Sequence, residues 1–268
     1  KDLEKYLNEL SAQNMKALVL DLRWNYGGLL TASKEVCELF LPPDSLVTYT
    51  RGRTREDGSA SKDDMRLSTS KQPVLPLDLP VIVLANSETA SAAEIVTGAL
   101  QFYQRAIVVG QKTFGKGSVQ TIIPLQRPAN SGLRLTTALY YTPANVTIDH
   151  QGILPDVEVE MNRDQELDLA KQMYESFERN IENQFHQNHG SMTPGYEVTE
   201  ETVEDLPLAR AIEILTEQVT WDELIKKYHR DIHETQVAAE SNTLNDPKRK
   251  NGTREAAESK DTEETPVQ

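Results

Sequence analysis

The chain has 268 residues, in which 42 Asp and Glu outnumber 28 Lys and Arg and give a formal net charge of −14. A chain this acidic is repelled by phosphate, which argues against sequence-independent binding to nucleic acid or to an anionic membrane surface. The single cysteine, Cys37, excludes an internal disulfide framework and a Cys-rich zinc site. No apolar run approaches the ~20 residues of a membrane span.

Helix and strand patterns alternate at the start of the chain. Apolar residues recur at helical spacing over 3–10, and the short apolar run 17–20 is typical of a buried strand. The double glycine at 27–28 breaks the pattern. A second helix is predicted over 32–40, and Pro42 stops it after this range.

The polar, charged segment 51–72 has no periodicity, which predicts a mobile loop or flap. Apolar runs at 81–85 and 106–110 then predict two buried strands, with a helix over 91–103 between them. Strands that alternate with helices pair in parallel through right-handed crossovers. The predicted fold class is therefore α/β.

A different pattern follows Gly117. Alternating residues over 119–125 and 133–141, with turn residues between them, predict a β-hairpin. From 164 to about 233 the chain is amphipathic with helical periodicity. Beyond about residue 239 it lacks apolar clusters, so we expect disorder there.

Two segments carry the candidate chemistry: 86–94 follows one buried strand and 113–117 follows the next. Both are expected at the carboxyl ends of parallel strands, where open α/β sheets place their sites. Ser91 opens the predicted helix, whose N–H groups and dipole favour a developing oxyanion nearby. The structural alternative is a capping box formed by Ser91 and Glu94.

Lys116 lies between two glycines, which let the backbone approach another segment closely. A lysine can act as general base for a serine only if its pKa falls from ~10.4 toward ~7–8, and burial among apolar groups such as Phe114 can cause that fall. The alternative is a tight turn with a solvated lysine. Segment 110–116 nearly matches a phosphate-binding loop, but Gly117 replaces the required Ser/Thr and a β pattern follows.

Five short segments carry a family resemblance: Asp21–Leu30, Ser91–Ile95, Val109–Gly110, Thr113–Gly117 and Gly152–Asp156. Their order, and the 25-residue separation of Ser91 and Lys116, resemble those of the carboxy-terminal processing peptidases, also called tail-specific proteases. The resemblance spans roughly residues 3–161.

This resemblance implies a crotonase-like core of βα units with a β-hairpin and a helical C-terminal extension, and a serine endopeptidase that cleaves proteins near their C-termini. By position, Ser91 is implied as the nucleophile, Lys116 as the base and Gln120 as the residue that orients the base. Lys116 and Gln120 are four residues apart, so in a regular strand they face the same side.

The resemblance also implies the remaining parts of the site. Backbone N–H groups of Ala92 and of Gly27 or Gly28 would hold the oxyanion. Neither metal nor cofactor is needed. The expected substrates are proteins or peptides with extended C-terminal tails, an oligomer is compatible with the family, and the usual location is the bacterial cell envelope or periplasm, or a plastid lumen.

The sequence departs from the family in several places. Phe102 stands where many members carry Asp, and Tyr26 replaces the usual Pro before the double glycine, which loosens the turn. The family's helical arm, PDZ domain and a further core strand normally precede the helix that here begins near Leu3. Because the chain starts at Lys1 rather than Met, we expect that an upstream segment was removed or omitted, and with it a PDZ substrate gate.

The predicted domains are a protease catalytic core over 1–162, a helical extension over 163–238 and a disordered polar tail over 239–268. The main alternative function is a non-catalytic peptide- or ligand-binding module on the same fold. A Ser-His-Asp triad through His150, beside Asp149, is a weaker hypothesis, because the family that the chain resembles needs no histidine in this segment. A zinc site on His229 and His233 is also weaker, because the sequence suggests no third ligand.

Overall fold

The computed structural model describes most of the chain, in five ranges: 1–53, 61, 64–126, 131–189 and 203–231. Over 180–189 only the backbone is described. Lys1–Arg230 form one compact unit and Asp231–Gln268 a second, of which only Asp231 is described. The predicted disordered tail therefore lies outside the described residues. Within the described ranges, no helix is long and apolar enough to cross a membrane.

Helices and strands alternate through the described chain. In order they are α1 (Asp2–Ala12), β1 (Leu18–Asp21), α2 (Leu30–Cys37), β2 (Leu46–Gly52), β3 (Arg66–Ser68), β4 (Val81–Ala85), α3 (Ala92–Phe102), β5 (Ile107–Gly110), β6 (Ser118–Pro124), β7 (Gly132–Tyr141), β8 (Val157–Glu158), α4 (Arg163–His189), α5 (Leu206–Leu215) and α6 (Trp221–Tyr228).

The first sheet is parallel, in the order β1-β4-β5-β8. Every residue of its inner strand β4 is buried, which is why this strand is a continuous apolar run rather than an alternating one. Val81, Val83 and Ala85 belong to a core shared with α1, α2 and α3. Ile82 and Leu84 belong to a second core, shared with α5 and α6. The predicted parallel pairing of these strands is confirmed.

Two C-terminal helices complete this second core. Ala211 and Ile214 of α5 and Trp221 and Leu224 of α6 are buried in it with residues of β4 and β5. Helices α5 and α6, from the region predicted as a helical extension, thus cover one face of the parallel sheet. Helices on both faces are what a parallel sheet requires.

Helix α6, the last one among the described residues, ends at Tyr228, earlier than the predicted limit near residue 233. The backbone becomes extended at His229. The Nε2 atom of the His229 side chain lies 2.7 Å from the Gln101 carbonyl oxygen. The Arg230 N–H donates to Asp156 Oδ1 at 2.9 Å. These contacts hold His229 and Arg230 against the core directly after the helix. The weaker hypothesis of a zinc site on His229 and His233 loses its helical spacing, and His233 lies outside the described residues.

The second sheet is antiparallel, in the order β3-β2-β7-β6. The predicted hairpin is confirmed as β6 and β7. The prediction of a loop over 51–72 is wrong at both ends, because β2 continues to Gly52 and β3 occupies Arg66–Ser68. Residues 54–60 and 62–63 lie outside the described residues.

Contacts across the sheet explain this difference. The Arg51 guanidinium lies over the rings of Tyr49 and Tyr141, 5.0 and 5.1 Å from their centroids. The Gly52 N–H donates to Asp64 Oδ1 at 2.7 Å. Such cross-strand partners stabilise strands whose own sequence has no apolar pattern.

Candidate active site

Two loops meet at one edge of the parallel sheet. β4 pairs in parallel with β5, with Ala85 opposite Gly110, so the segments that follow both strands leave the sheet side by side. The Phe114 N–H donates to the Thr89 carbonyl at 3.0 Å and joins the two segments directly. The predicted placement of both segments at carboxyl strand ends is confirmed.

Ser91 is the residue at which the first segment becomes α3. Its φ of +58° and ψ of −120° are unusual for a residue with a side chain. Such conformations persist where the surrounding structure holds them, and they concentrate at functional sites. The Ser91 N–H donates to Glu94 Oε2 at 2.8 Å, and Ser91 and Glu94 form the capping box that the sequence offers as the structural alternative.

Glu94 joins the two loops through one fully buried carboxylate. Its Oε1 accepts hydrogen bonds from Thr113 Oγ1 at 2.6 Å and the Gly115 N–H at 2.7 Å. Its Oε2 accepts from the N–H groups of Ser91 and Lys116, each at 2.8 Å. The backbones of both predicted catalytic residues are therefore held by the same oxygen atom.

Sequence reasoning missed this role, because a glutamate three residues after a serine also fits an ordinary capping box. A signal was nevertheless present. Glu94 stands between Ala93 and Ile95 in a helix that is buried from Ala92 to Gln101. A carboxylate in so apolar a helix needs several buried donors.

Glycines let the second loop lie against the segment that follows β7. A Cβ on Gly117 would come within 2.1 Å of the Asp149 backbone nitrogen, and one on Gly115, at φ +89°, within 3.1 Å of the Gly152 nitrogen. The His150 N–H donates to the Gly115 carbonyl at 2.8 Å. The predicted close approach of the Gly-Lys-Gly backbone to another segment is confirmed.

The burial expected for the Lys116 side chain is not observed. Lys116 is exposed, and Phe114, the apolar neighbour expected to bury it, is 61% exposed. The physical reason is that the loop's anchors are backbone contacts, through Glu94 and the flanking glycines, which leave the side chains outside.

Gln120 is also exposed, in the strand that follows the loop. β6 begins at Ser118, after Lys116, and its register with β7 shifts between Val119 and Gln120. The argument from strand alternation requires one regular strand from Lys116 to Gln120, so it does not hold here. The role of Gln120 stays a prediction.

The double-glycine turn lies directly against the start of α3. A Cβ on Gly27, which has φ +87°, would come within 2.6 Å of the Ala90 oxygen and 2.7 Å of the Ala92 nitrogen. The Ala90 N–H donates to the Asn25 carbonyl at 2.9 Å, and the Gly27 N–H donates to Asn25 Oδ1 at 2.9 Å. The three predicted oxyanion residues, Gly27, Gly28 and Ala92, therefore belong to two segments in contact.

The two glycines provide a matched pair of substitutions. We expect Gly27→Ala to lower the free energy of unfolding by about 2 kcal/mol or more, because the new methyl group meets backbone atoms at a positive φ. Gly28→Ala, whose Cβ would meet no atom within 4 Å, should change it by less than about 0.5 kcal/mol. Urea unfolding measures both. Equal losses would show that the turn does not lie against Ala90 and Ala92 as described.

An ion pair between Asp21 and Arg23 stands at the start of this turn. Arg23 Nη2 lies 2.7 Å from Asp21 Oδ2. A second carboxylate, Asp205, was not foreseen: Arg23 Nη1 and Nη2 donate to its two oxygens at 2.7 and 2.8 Å. Burial alone would lower the pKa of the Arg23 guanidinium, but hydrogen bonds to Asp205 and Asp21 raise it.

The weaker candidates have ordinary surroundings. The His150 side chain is 93% exposed, with Nε2 3.5 Å from Asp149 Oδ2. Cys37 is fully buried in the apolar core, and burial raises the pKa of its thiol. In the part of the chain that the structure describes, no group of three His, Cys, Asp or Glu residues could hold a metal ion.

Comparisons with known proteins agree on one family. A family model described as peptidase family S41 matches residues 1–159. The carboxy-terminal-processing protease of Bartonella bacilliformis is 47% identical over 153 residues, which cover 57% of this chain and 33% of that protein. The chloroplastic carboxyl-terminal-processing peptidase 3 of Arabidopsis thaliana is 40% identical over 157 residues, which cover 59% and 28%.

Among solved structures, the photosystem II D1 C-terminal processing protease is 33% identical, with a TM-score of 0.51, and the match covers 59% of this chain and 38% of that one. The chain thus spans about a third of the length of the curated relatives it matches.

Proposed function

The chain belongs to peptidase family S41, and we propose that it is a serine endopeptidase that cleaves proteins near their C-termini with a Ser91/Lys116 dyad. The carboxylate of Glu94 carries this proposal, because it binds the backbone N–H groups of both residues. A shared acceptor at one fully buried point fixes the spacing of the two loops that carry the proposed nucleophile and base. We also propose that the α/β core is crotonase-like, because the family that the sequence resembles has such a core.

The proposed reaction proceeds through an acyl-enzyme. Neutral Lys116 accepts the proton of the Ser91 hydroxyl while Oγ attacks the scissile carbonyl carbon. The protonated lysine then gives this proton to the leaving amine as the peptide C–N bond breaks. Water attacks the resulting ester, again with Lys116 as base, and releases Ser91 and the new carboxyl terminus.

Backbone amides stabilise the oxyanion in this scheme. Ala92 follows the nucleophile at the first turn of α3, where the helix N-terminus favours negative charge. The Gly27 N–H already donates to Asn25 Oδ1, so we assign the second donor to Gly28. Gln120 is proposed to orient the base, on the strength of the resemblance alone.

The exposed lysine requires burial before it can act as a base. Tyr26, Leu29 and Phe114, in the turn and the loop that form the site, all have exposed apolar side chains. An extended peptide laid over them would exclude water from Lys116 and favour its neutral form. The proposed substrates, proteins with extended C-terminal tails, would thus complete the site. By analogy with bacterial and chloroplast relatives, the proposed location is the cell envelope.

Cleavage of a tailed substrate tests this function. We expect the chain to cut an unstructured C-terminal extension internally, with fragments identified by mass spectrometry. The rate should be unaffected by chelators and nearly unchanged in His150→Ala, because the dyad uses neither metal nor histidine. Binding of the tail without cleavage would favour the non-catalytic module, and inhibition by chelation would favour a metal mechanism.

A further inference from the structure

Arg23 connects the candidate oxyanion turn to a helix far along the chain. Its side chain is only 3% exposed and lies between the carboxylates of Asp21 and Asp205. The Asp205 pair is bidentate, with both oxygens accepting from the guanidinium. Buried bidentate pairs combine strength with a fixed geometry. Asp205 follows Arg23 by 182 residues, so only the tertiary fold brings them together.

Asp205 is itself firmly held. It is the N-cap of α5, and its Oδ1 accepts from the Leu208 N–H at 3.0 Å. α5 is anchored in turn by Ala211 and Ile214, which are fully buried in the core that includes β4 and β5. The guanidinium therefore binds a carboxylate whose position is set by the parallel sheet.

The other end of this connection is the turn beside Ser91. The Trp24 N–H, next to Arg23, donates to Asn86 Oδ1 at 3.0 Å, and Trp24 has a φ of +54°. Asn25 then accepts the Ala90 N–H at its carbonyl and the Gly27 N–H at its side chain. A shift of Arg23 would be passed through these short links to the Gly27–Gly28 turn, which lies against Ala90, Ser91 and Ala92.

We propose that Asp205 is a positioning residue of the peptidase reaction, which holds the Gly27–Gly28 turn in place against Ser91 through its bidentate pair with Arg23. This inference rests on the proposed function, in which that turn supplies an oxyanion donor. It makes α5 a necessary support of the active site.

Asp205→Asn separates this role from helix capping. Asparagine is as good an N-cap as aspartate, and its oxygen can keep the bonds from Leu208 and Arg23 Nη1. Its NH2 group would face the Nη2 donor in place of an acceptor, so only the bidentate pair is lost. Asp222→Asn is the matched control, since Asp222 is an exposed carboxylate in the first turn of α6.

Kinetics and hydrogen exchange on the full chain test the proposal together. We expect Asp205→Asn to lower kcat by about 10–100-fold with KM within about twofold, as for other contacts that orient a reacting group. The amides of Trp24, Asn25 and Gly27 should exchange about tenfold faster, while those of β4 keep the parent rate. Asp222→Asn should match the parent in both measurements.

The outcomes separate this proposal from the function on which it rests. If turn exchange or kcat in Asp205→Asn equals that of Asp222→Asn, the positioning role is overturned. Uniformly faster exchange across β4 would overturn it too, since it would indicate general destabilisation. If the parent shows no Ser91-dependent cleavage, the proposed function fails, and the exchange rates still decide whether Asp205 holds the turn.

Discussion

Ser91→Ala and Lys116→Ala are each expected to lower kcat/KM for tail cleavage by about 10³-fold or more. The first removes the attacking oxygen and the second removes the group that accepts its proton. Both variants should remain folded, because the contacts that hold the two loops use backbone N–H groups at both positions. Ser91→Ala also removes the side-chain half of the capping box, which costs about 1 kcal/mol in the free energy of unfolding. Cleavage rates on a peptide with an extended C-terminus, with circular dichroism of each variant, measure the effect.

Ser87→Ala is the matched control for this pair. Ser87 is an exposed serine in the same segment, four residues before Ser91, and its variant should keep most activity. The Ser91→Ala/Lys116→Ala double variant should be no slower than either single variant, because members of one catalytic unit are not additive. A Ser91→Ala enzyme with parental activity would refute the assignment of the nucleophile.

Glu94→Gln is expected to affect stability and activity together. The carboxylate accepts two donors at each oxygen, whereas an amide offers one oxygen and one NH2 group. With the NH2 group at the Oε2 position, the Ser91 and Lys116 N–H groups both lose their acceptor. With it at the Oε1 position, the Gly115 N–H loses its acceptor, and the Thr113 hydroxyl has to accept instead of donate. Loss of one or two hydrogen bonds to a buried charge predicts a decrease of about 2–3 kcal/mol in the free energy of unfolding.

Activity should fall further than stability alone explains. Release of either loop misplaces Ser91 or Lys116, and such misplacement costs on the order of 10²-fold in rate. Urea unfolding and kcat/KM at a temperature where the variant stays folded measure the two effects separately. Glu35→Gln, on the exposed surface of α2, is the control for the loss of one carboxylate. A folded Glu94→Gln enzyme with parental kcat/KM would show that the shared carboxylate does not position the dyad.

The elements that the sequence predicts well are those with a strong local pattern. β4 and β5 are continuous apolar runs because helices cover both faces of the sheet, and such runs are visible without the structure. The short strand β3 has no such pattern. Its three residues are ordered by antiparallel pairing with β2, which the local sequence does not show. The sequence therefore predicts a loop where the structure has a strand.

The site shows the same division between local and distant causes. Ser91 at a helix start and Lys116 between glycines follow from local sequence. The bridging role of Glu94 does not follow from local sequence. A glutamate three residues after a serine is also what a capping box alone requires, so the spacing gives no sign of the contacts to the second loop. The Arg23–Asp205 pair leaves no local signal at all, since the two residues meet only when α5 packs on the parallel sheet. The exposure of the Lys116 side chain could not be predicted either. The local sequence shows the flanking glycines, but it does not show which side of the loop faces solvent.

The identity of the residue that becomes acylated tests the central claim most directly. The chain is treated with a serine-directed covalent probe, digested, and the modified peptide is sequenced by mass spectrometry. We predict one adduct on Ser91, formed at a strongly reduced rate in Lys116→Ala and at the parental rate in Ser87→Ala. An adduct on Ser87 or Ser118 that accompanies loss of cleavage, with Ser91 unmodified, would contradict the assignment of Ser91 as the nucleophile.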